Sequence, residues 1–135
     1  MEKLTYQVEE HCGVDEFRSL LISSGLAKYR PIDDLQRLES MLRNSNLVVT
    51  ARSDGDLVGI ARAVTDFSFC CYLSDLAISK DCQGRRIGAN LIATVKSRLG
   101  PAVSLILSSV PESVGFYESI GMTPLPDCYR IRREI

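Results

Sequence analysis

The sequence predicts an α+β fold: a mixed, mostly antiparallel sheet flanked by about four helices, in a single domain over residues 1–135. Three observations carry this. Residues 47–78 hold strand-like apolar runs around an Asp-Gly turn, the pattern of an antiparallel meander. Apolar residues three and four apart mark helices before this block and after it, at 13–24, 31–42 and 87–99. The last of these separates apolar runs at 73–78 and 103–107. A strand–helix–strand passage within one sheet implies a right-handed crossover and a parallel pair.

Each element has its own warrant. Leu4 to Glu9 alternates and reads as a strand. Val14, Phe17, Leu20 and Leu21 form a helical stripe that Gly25 stops. Pro31 is expected to open a second helix carrying Ile32, Leu35, Leu38 and Leu42. Leu47 to Arg52 is a strand, Ser53-Asp54-Gly55-Asp56 the hairpin turn, and Leu57 to Val64 the returning strand. Another strand runs from about Cys70 to Ile78. Ile87, Leu91, Ile92, Val95 and Leu99 mark a helix ending at Gly100, followed by a buried strand at 103–107. Pro111 precedes a short helix through about Ile120, which Gly121 ends. Cys128 to Arg133 alternates weakly and is read as a last strand.

Composition narrows the function. A length of 135 residues suits one domain, and 45% apolar residues can fill its core. Lys+Arg at 16 against Asp+Glu at 17 gives a formal charge of -1, which argues against a nucleic-acid partner. No apolar run approaches the roughly 20 residues of a membrane span, and the start lacks a signal pattern, so a cytoplasmic protein is expected. The five cysteines, Cys12, Cys70, Cys71, Cys82 and Cys128, have no framework spacing, and His11 has no partner at ligand spacing. Neither a disulfide framework nor a metal is expected, and Cys70 and Cys71 read as small packing residues.

The sharpest feature is the passage from Tyr72 to Leu91. A buried strand runs into a loop rich in Gly and Arg, which opens into an apolar-faced helix. Such a junction leaves backbone N–H groups unpaired at the positive end of the helix dipole, where a phosphate is the natural occupant. No Gly-x-x-x-x-Gly-Lys-Ser/Thr is present, and no Gly-x-Gly-x-x-Gly follows the first strand.

Leu76-Ala77-Ile78 followed by Gln83-Gly84-Arg85-Arg86-Ile87-Gly88-Ala89 resembles the coenzyme A motif of the GNAT acyltransferases, Gln/Arg-x-x-Gly-x-Gly/Ala. Phe116-Tyr117-Glu118-Ser119-Ile120-Gly121-Met122 resembles the family's second motif, Phe-Tyr-x-x-x-Gly-Phe, and the element order agrees. Two positions depart: Arg86 stands at the motif's first glycine, and Met122 at its phenylalanine.

The resemblance implies an N-acetyltransferase that uses acetyl-CoA as cosubstrate. The acceptor would be a small-molecule or protein amine, and a homodimer is one assembly open to it. A catalytically silent acyl-CoA sensor is the alternative. Amides from Gly84 to Ala89 would hold the pyrophosphate. Backbone of Leu76 and Ile78 would pair with the pantetheine arm in a gap between splayed central strands. Tyr117 stands at the position of the family's tyrosine acid, and a phenol suits protonation of a leaving thiolate. For the base, Asp75 and a water relay through Tyr72 and Ser74 both stay open. Phe67, Phe69 and Tyr72 are either an acceptor floor, with Asp66 beside it, or ordinary packing.

Overall fold

A computed structural model of the chain describes residues 2–135. Strands β1 (Leu4–Val8), β2 (Leu47–Ser53), β3 (Asp56–Thr65) and β4 (Cys70–Ile78) form the antiparallel meander, and β5 (Ser104–Leu107) joins β4 in parallel. Helices α1 (Val14–Ser24), α2 (Leu35–Arg43), α3 (Ile87–Leu99) and α4 (Val114–Ser119) complete the fold. No helix of the described chain is long and apolar enough to cross a membrane.

The sheet separates two cores. On one face, Leu91 and Val95 of α3 pack on Val49, Ala61 and Leu73. On the other, Phe17, Leu20 and Leu21 of α1 and Leu38 of α2 pack on Val48, Ile60 and Ala77. Fully burying one such side chain is worth roughly 1.5–3 kcal/mol, so both helical stripes are firmly seated.

The hairpin turn forms as predicted. Asp54 (φ 50°) and Gly55 (φ 91°) both take positive φ, which the two central residues of a type I′ turn require. Three expectations need correction. Helix α2 starts at Leu35, because Asp34 caps it by accepting from Arg37 N–H at 3.0 Å, while Pro31 sits in the preceding turn. The tail forms no strand: Tyr129 is 91% and Ile131 100% exposed, so its alternation packs against nothing. With nothing added beyond β5, the parallel pair lies at the sheet's edge and not at its centre.

The strand that positions the site is β4, and a bulge divides it. Ala63 pairs with Leu73 but Arg62 with Asp75, which leaves Ser74 as the extra residue. Leu73 and Leu76 therefore both face the α3 core, and Asp75 turns to the opposite face with Ala77. Pairing with β5 ends at Leu73↔Leu107, at the same bulge. Beyond it, residues 74–78 have β3 on one side and no strand on the other. This is the expected splay, and it begins at the extra residue.

Candidate active site

A cleft of about 660 Å³ opens where β4 and β5 part. Its walls come from the end of β4, the loop before α3, the start of α3, the segment after α1, and α4.

The loop is shaped by backbone conformation. Gly84 has φ 82°, which suits glycine alone. Arg86, the cap of α3, has φ 62° and ψ 18°, so the position where the motif has glycine does require the left-handed region. An arginine there costs about 1 kcal/mol. The first backbone bond of α3 runs from Asn90 N–H to Arg86 C=O at 3.0 Å. The amides of Ile87, Gly88 and Ala89 precede it, at the positive end of a 13-residue helix and on the cleft wall.

Of the predicted cofactor contacts, Leu76, Ala77, Ile78, Gln83, Gly84, Arg86, Ile87, Gly88 and Ala89 line the cleft. Arg85 does not; its guanidinium pairs with Glu2. Gln83 Nε2 donates to Ile78 C=O at 3.2 Å, so that carbonyl already has a partner. Gly88 is small for a reason other than ligand approach. A Cβ there would lie 3.0 Å from the Phe116 ring and 3.3 Å from Ile78, so the missing side chain lets α4 pack on α3.

Tyr117 borders the cleft and also a notch of about 30 Å³ between β4 and β5, room for a water. Its ring meets Phe116 edge-on, with centroids 5.1 Å apart. Burial pushes its phenol up to about 12, opposed by the charge of Arg30, so the hydroxyl stays protonated at neutral pH.

Asp75 is held in a buried ion cluster. It is fully buried and has both oxygens on arginines: Oδ1 on Arg30 Nε and Oδ2 on Arg62 Nε, each at 2.5 Å. A base must lie within reach of the proton it takes, and Asp75 opens on neither cavity. Asp75 alternates with Leu76 and Ile78, so ordinary pleating puts its carboxylate on the face opposite theirs; the bulge at Ser74 sets it apart from Leu73. Of the relay residues, Ser74 lines the notch and Tyr72 neither cavity. Phe67, Phe69 and Tyr72 lie outside both cavities too, 47–77% exposed, and Asp66 caps its own loop through Ser68 and Phe69 N–H at 2.8 Å.

The other wall is formed by the segment after α1 and the start of the α4 region. Lys28 Nζ and Tyr29 OH, just after α1, both reach Glu112 Oε1, at 3.0 and 2.7 Å, and tie that segment to the start of the α4 region at the cleft mouth. Nothing in their local pattern marks these three. Arg62 did carry a signal: a charged residue inside an apolar strand needs a buried partner.

The profile of the acetyltransferase (GNAT) domain matches residues 23–127. The chain belongs to the GNAT acetyltransferase family. An uncharacterized N-acetyltransferase of Pyropia yezoensis is 31% identical over 118 residues, covering 83% of this chain. The chain spans 66% of that relative's length. Among solved structures, a GNAT-family acetyltransferase of Streptococcus pneumoniae superposes with a TM-score of 0.77 at 23% identity, over 97% of each chain. An aminoglycoside N-acetyltransferase in complex with CoA gives 0.74 at 16% identity, over 100% of this chain and 97% of that one. At such identities the two structures speak for the fold: this is the GNAT sheet.

Proposed function

We propose that the protein moves an acetyl group from acetyl-CoA to a primary amine, by direct attack in a ternary complex. The observation that carries this is the position of Tyr117, a protonated phenol bordering the same cleft as the open start of α3. The cleft fits the donor on its own features. It offers unpaired amides at a helix start for phosphate, a strand edge at 74–78 for an extended arm, and an apolar wall from Leu76, Ile87 and Ile120. A CoA complex of a similar fold supports the same choice.

Bound acetyl-CoA supplies an acyl group already activated as a thioester. The chain supplies position and a proton. Amides at 87–89 and the Arg86 guanidinium hold the phosphates, and the free edge of β4 aligns the arm so that its end lies near Tyr117. As the C–S bond breaks, Tyr117 gives its proton to the sulfur. The amine reaches the site ionised and sheds its proton to water, since Asp75 is sealed away by its two arginines. The acceptor enters between the segment after α1 and the start of α4, past Lys28, Tyr29 and Glu112.

The test is Tyr117→Phe, assayed with acetyl-CoA and the best acceptor from a panel of primary amines. The ring and its contact with Phe116 survive, and only the hydroxyl goes. The expected fall in kcat is roughly 100-fold or more, with KM for acetyl-CoA within about twofold. Full activity would remove Tyr117 from the mechanism. Acetyl-CoA binding by the wild type with no turnover of any amine would point to a silent sensor instead.

A further inference from the structure

Asp75 is the only carboxylate among the described residues that is fully buried, and it is held by two arginines where one would neutralise it. The cluster Arg30–Asp75–Arg62 therefore carries a surplus positive charge, with Arg62 buried and the Arg30 side chain 17% exposed. A buried charge is costly unless something faces it.

The two arginines are not equivalent. Arg62 is 6% exposed and further engaged, with Nη2 on Ser74 Oγ at 2.9 Å and Nη1 on Ser45 Oγ at 3.0 Å. It is a structural cation. Arg30 lies at the wall of the notch, which it shares with Tyr117, Ser74 and Leu107. Its Nη2 donates to the carbonyl of the bulged Ser74 at 2.7 Å, and its Nη1 to Tyr29 C=O at 2.9 Å. With Asp75 on Nε, the guanidinium is fixed from three sides. These contacts use three of its five N–H groups, which leaves donors for the notch.

We propose that Arg30, aimed by Asp75 and the Ser74 carbonyl, is the positioning cation for Tyr117: it steadies the phenolic oxygen when that oxygen gives up its proton. The inference rests on the acid role of Tyr117 argued above. In the step, the amine nitrogen bonds to the acyl carbon, the C–S bond breaks, and the Tyr117 proton passes to the sulfur. The phenolate then faces Arg30, which keeps its own proton throughout. The proton shed by the amine restores the phenol through solvent, for which the notch has room. The surplus charge is thus matched to an anion that exists only during the reaction, which is how a preorganised group favours the transition state over the ground state.

The experiment is a double-mutant cycle on the full chain, with acetyl-CoA and the same amine acceptor. Arg30→Gln removes the charge and keeps hydrogen-bonding capacity. It should lower kcat roughly 10-fold with KM for acetyl-CoA within about twofold, while Arg30→Lys should restore most of the rate. In a Tyr117→Phe background, Arg30→Gln should change kcat less than about twofold, because the anion it served no longer forms. Asp75→Asn gives a second route, should Arg30→Gln fail to fold. It frees Arg30 without changing the volume, and should likewise act in the wild type and not in Tyr117→Phe. Equal fold-losses in both backgrounds, or a rise in KM matching the fall in kcat, would overturn the proposal. Full activity of Tyr117→Phe alone would overturn the reading beneath it.

Discussion

Two arginine–carboxylate clusters brace this fold, in opposite ratios and opposite surroundings. Near the edge of the sheet, Arg52 stands between two acids, with Nε on Glu9 at 2.7 Å and Nη2 on Glu16 at 2.8 Å. Glu16 is 36% exposed, so the surplus negative charge has water. At the cleft, Asp75 is fully buried between the side chains of Arg62, 7% exposed, and Arg30, 17% exposed. The first cluster ties the start of α1 to β2 and has no surface to serve. Cys12 brings its sulfur within 4.8 Å of those carboxylates, as metal ligands would lie, but Arg52 already occupies both acids, and burial with two neighbouring acids pushes its thiol up to about 12. The second cluster holds the bulged Ser74 through both arginines and lines a notch that Tyr117 also borders. Similar ion pairs do different work according to whether solvent can absorb the unbalanced charge.

The contrast is broken most directly by deleting one acid from each. Asp75→Ala leaves Arg62 buried without its carboxylate and beside the like charge of Arg30, and should cost about 3 kcal/mol or more of stability. Glu9→Gln leaves Arg52 paired with Glu16 and keeps a polar group beside Thr50, so no like charges are left facing each other, and it should cost less, about 1–2 kcal/mol. Urea denaturation of both variants measures the difference. Equal losses would mean that burial does not separate the clusters.

Much of this frame was legible in the sequence. The limits of β4, the Asp-Gly turn and the end of α3 at Gly100 follow from strong local rules, and the structure keeps them. What local pattern could not supply is whatever depends on a distant partner. Alternation with Leu76 and Ile78 already sets Asp75 on the opposite face; what it cannot see is the extra residue opposite Arg62 and Ala63, which brings Leu73 onto the face of Leu76. Pro31 fits a helix start by its fixed φ, but the cap is made by Asp34, a side chain that competes equally well for the role. The tail alternates as a strand does, yet alternation is half of a pairing and nothing pairs with it. Gly88 suits close ligand approach by its type; only the packed structure reveals the Phe116 ring above it. Arg86 shows the reverse case: the motif position demands a left-handed residue, and the sequence departs from glycine all the same.

That departure makes Arg86 a third kind of arginine, strained in its backbone and free of any carboxylate partner among the described residues. Arg86→Gly should relieve the left-handed strain and raise stability by up to about 1 kcal/mol, less what the freer unfolded chain takes back. The same change removes a cation from the cleft wall, so acetyl-CoA affinity should fall a few-fold, about 1 kcal/mol at most for an exposed phosphate contact. A melt and a titration calorimetry run on one preparation test both signs. A variant that is more stable and binds no worse would show that the guanidinium faces solvent and not phosphate.

The last effect belongs to the Arg52 cluster and appears only with acid. Hydrogen bonding from Arg52 is the largest influence on Glu9 and, with Thr50 and Gln7, holds its carboxyl at about 2, against an ordinary value of 4.5, although partial burial opposes this. Arg52 is also the main cause of the lowered Glu16 carboxyl. A carboxyl with a lower value in the folded state binds a proton more readily when unfolded. Its contribution is therefore complete above about 4.5 and drains away as the pH falls towards 2. Wild-type stability should decline across that window, and Glu9→Gln should flatten the slope by removing one titrating group. Arg52→Met should flatten it further, since both carboxyls then return towards their ordinary values. Chemical denaturation at steps from pH 6 down to pH 3, in low salt to limit screening, reads the slopes. If Arg52→Met leaves the acid slope unchanged, the bonds from Arg52 are too weakly held to shift either carboxyl, and the surface cluster contributes nothing that titration can detect.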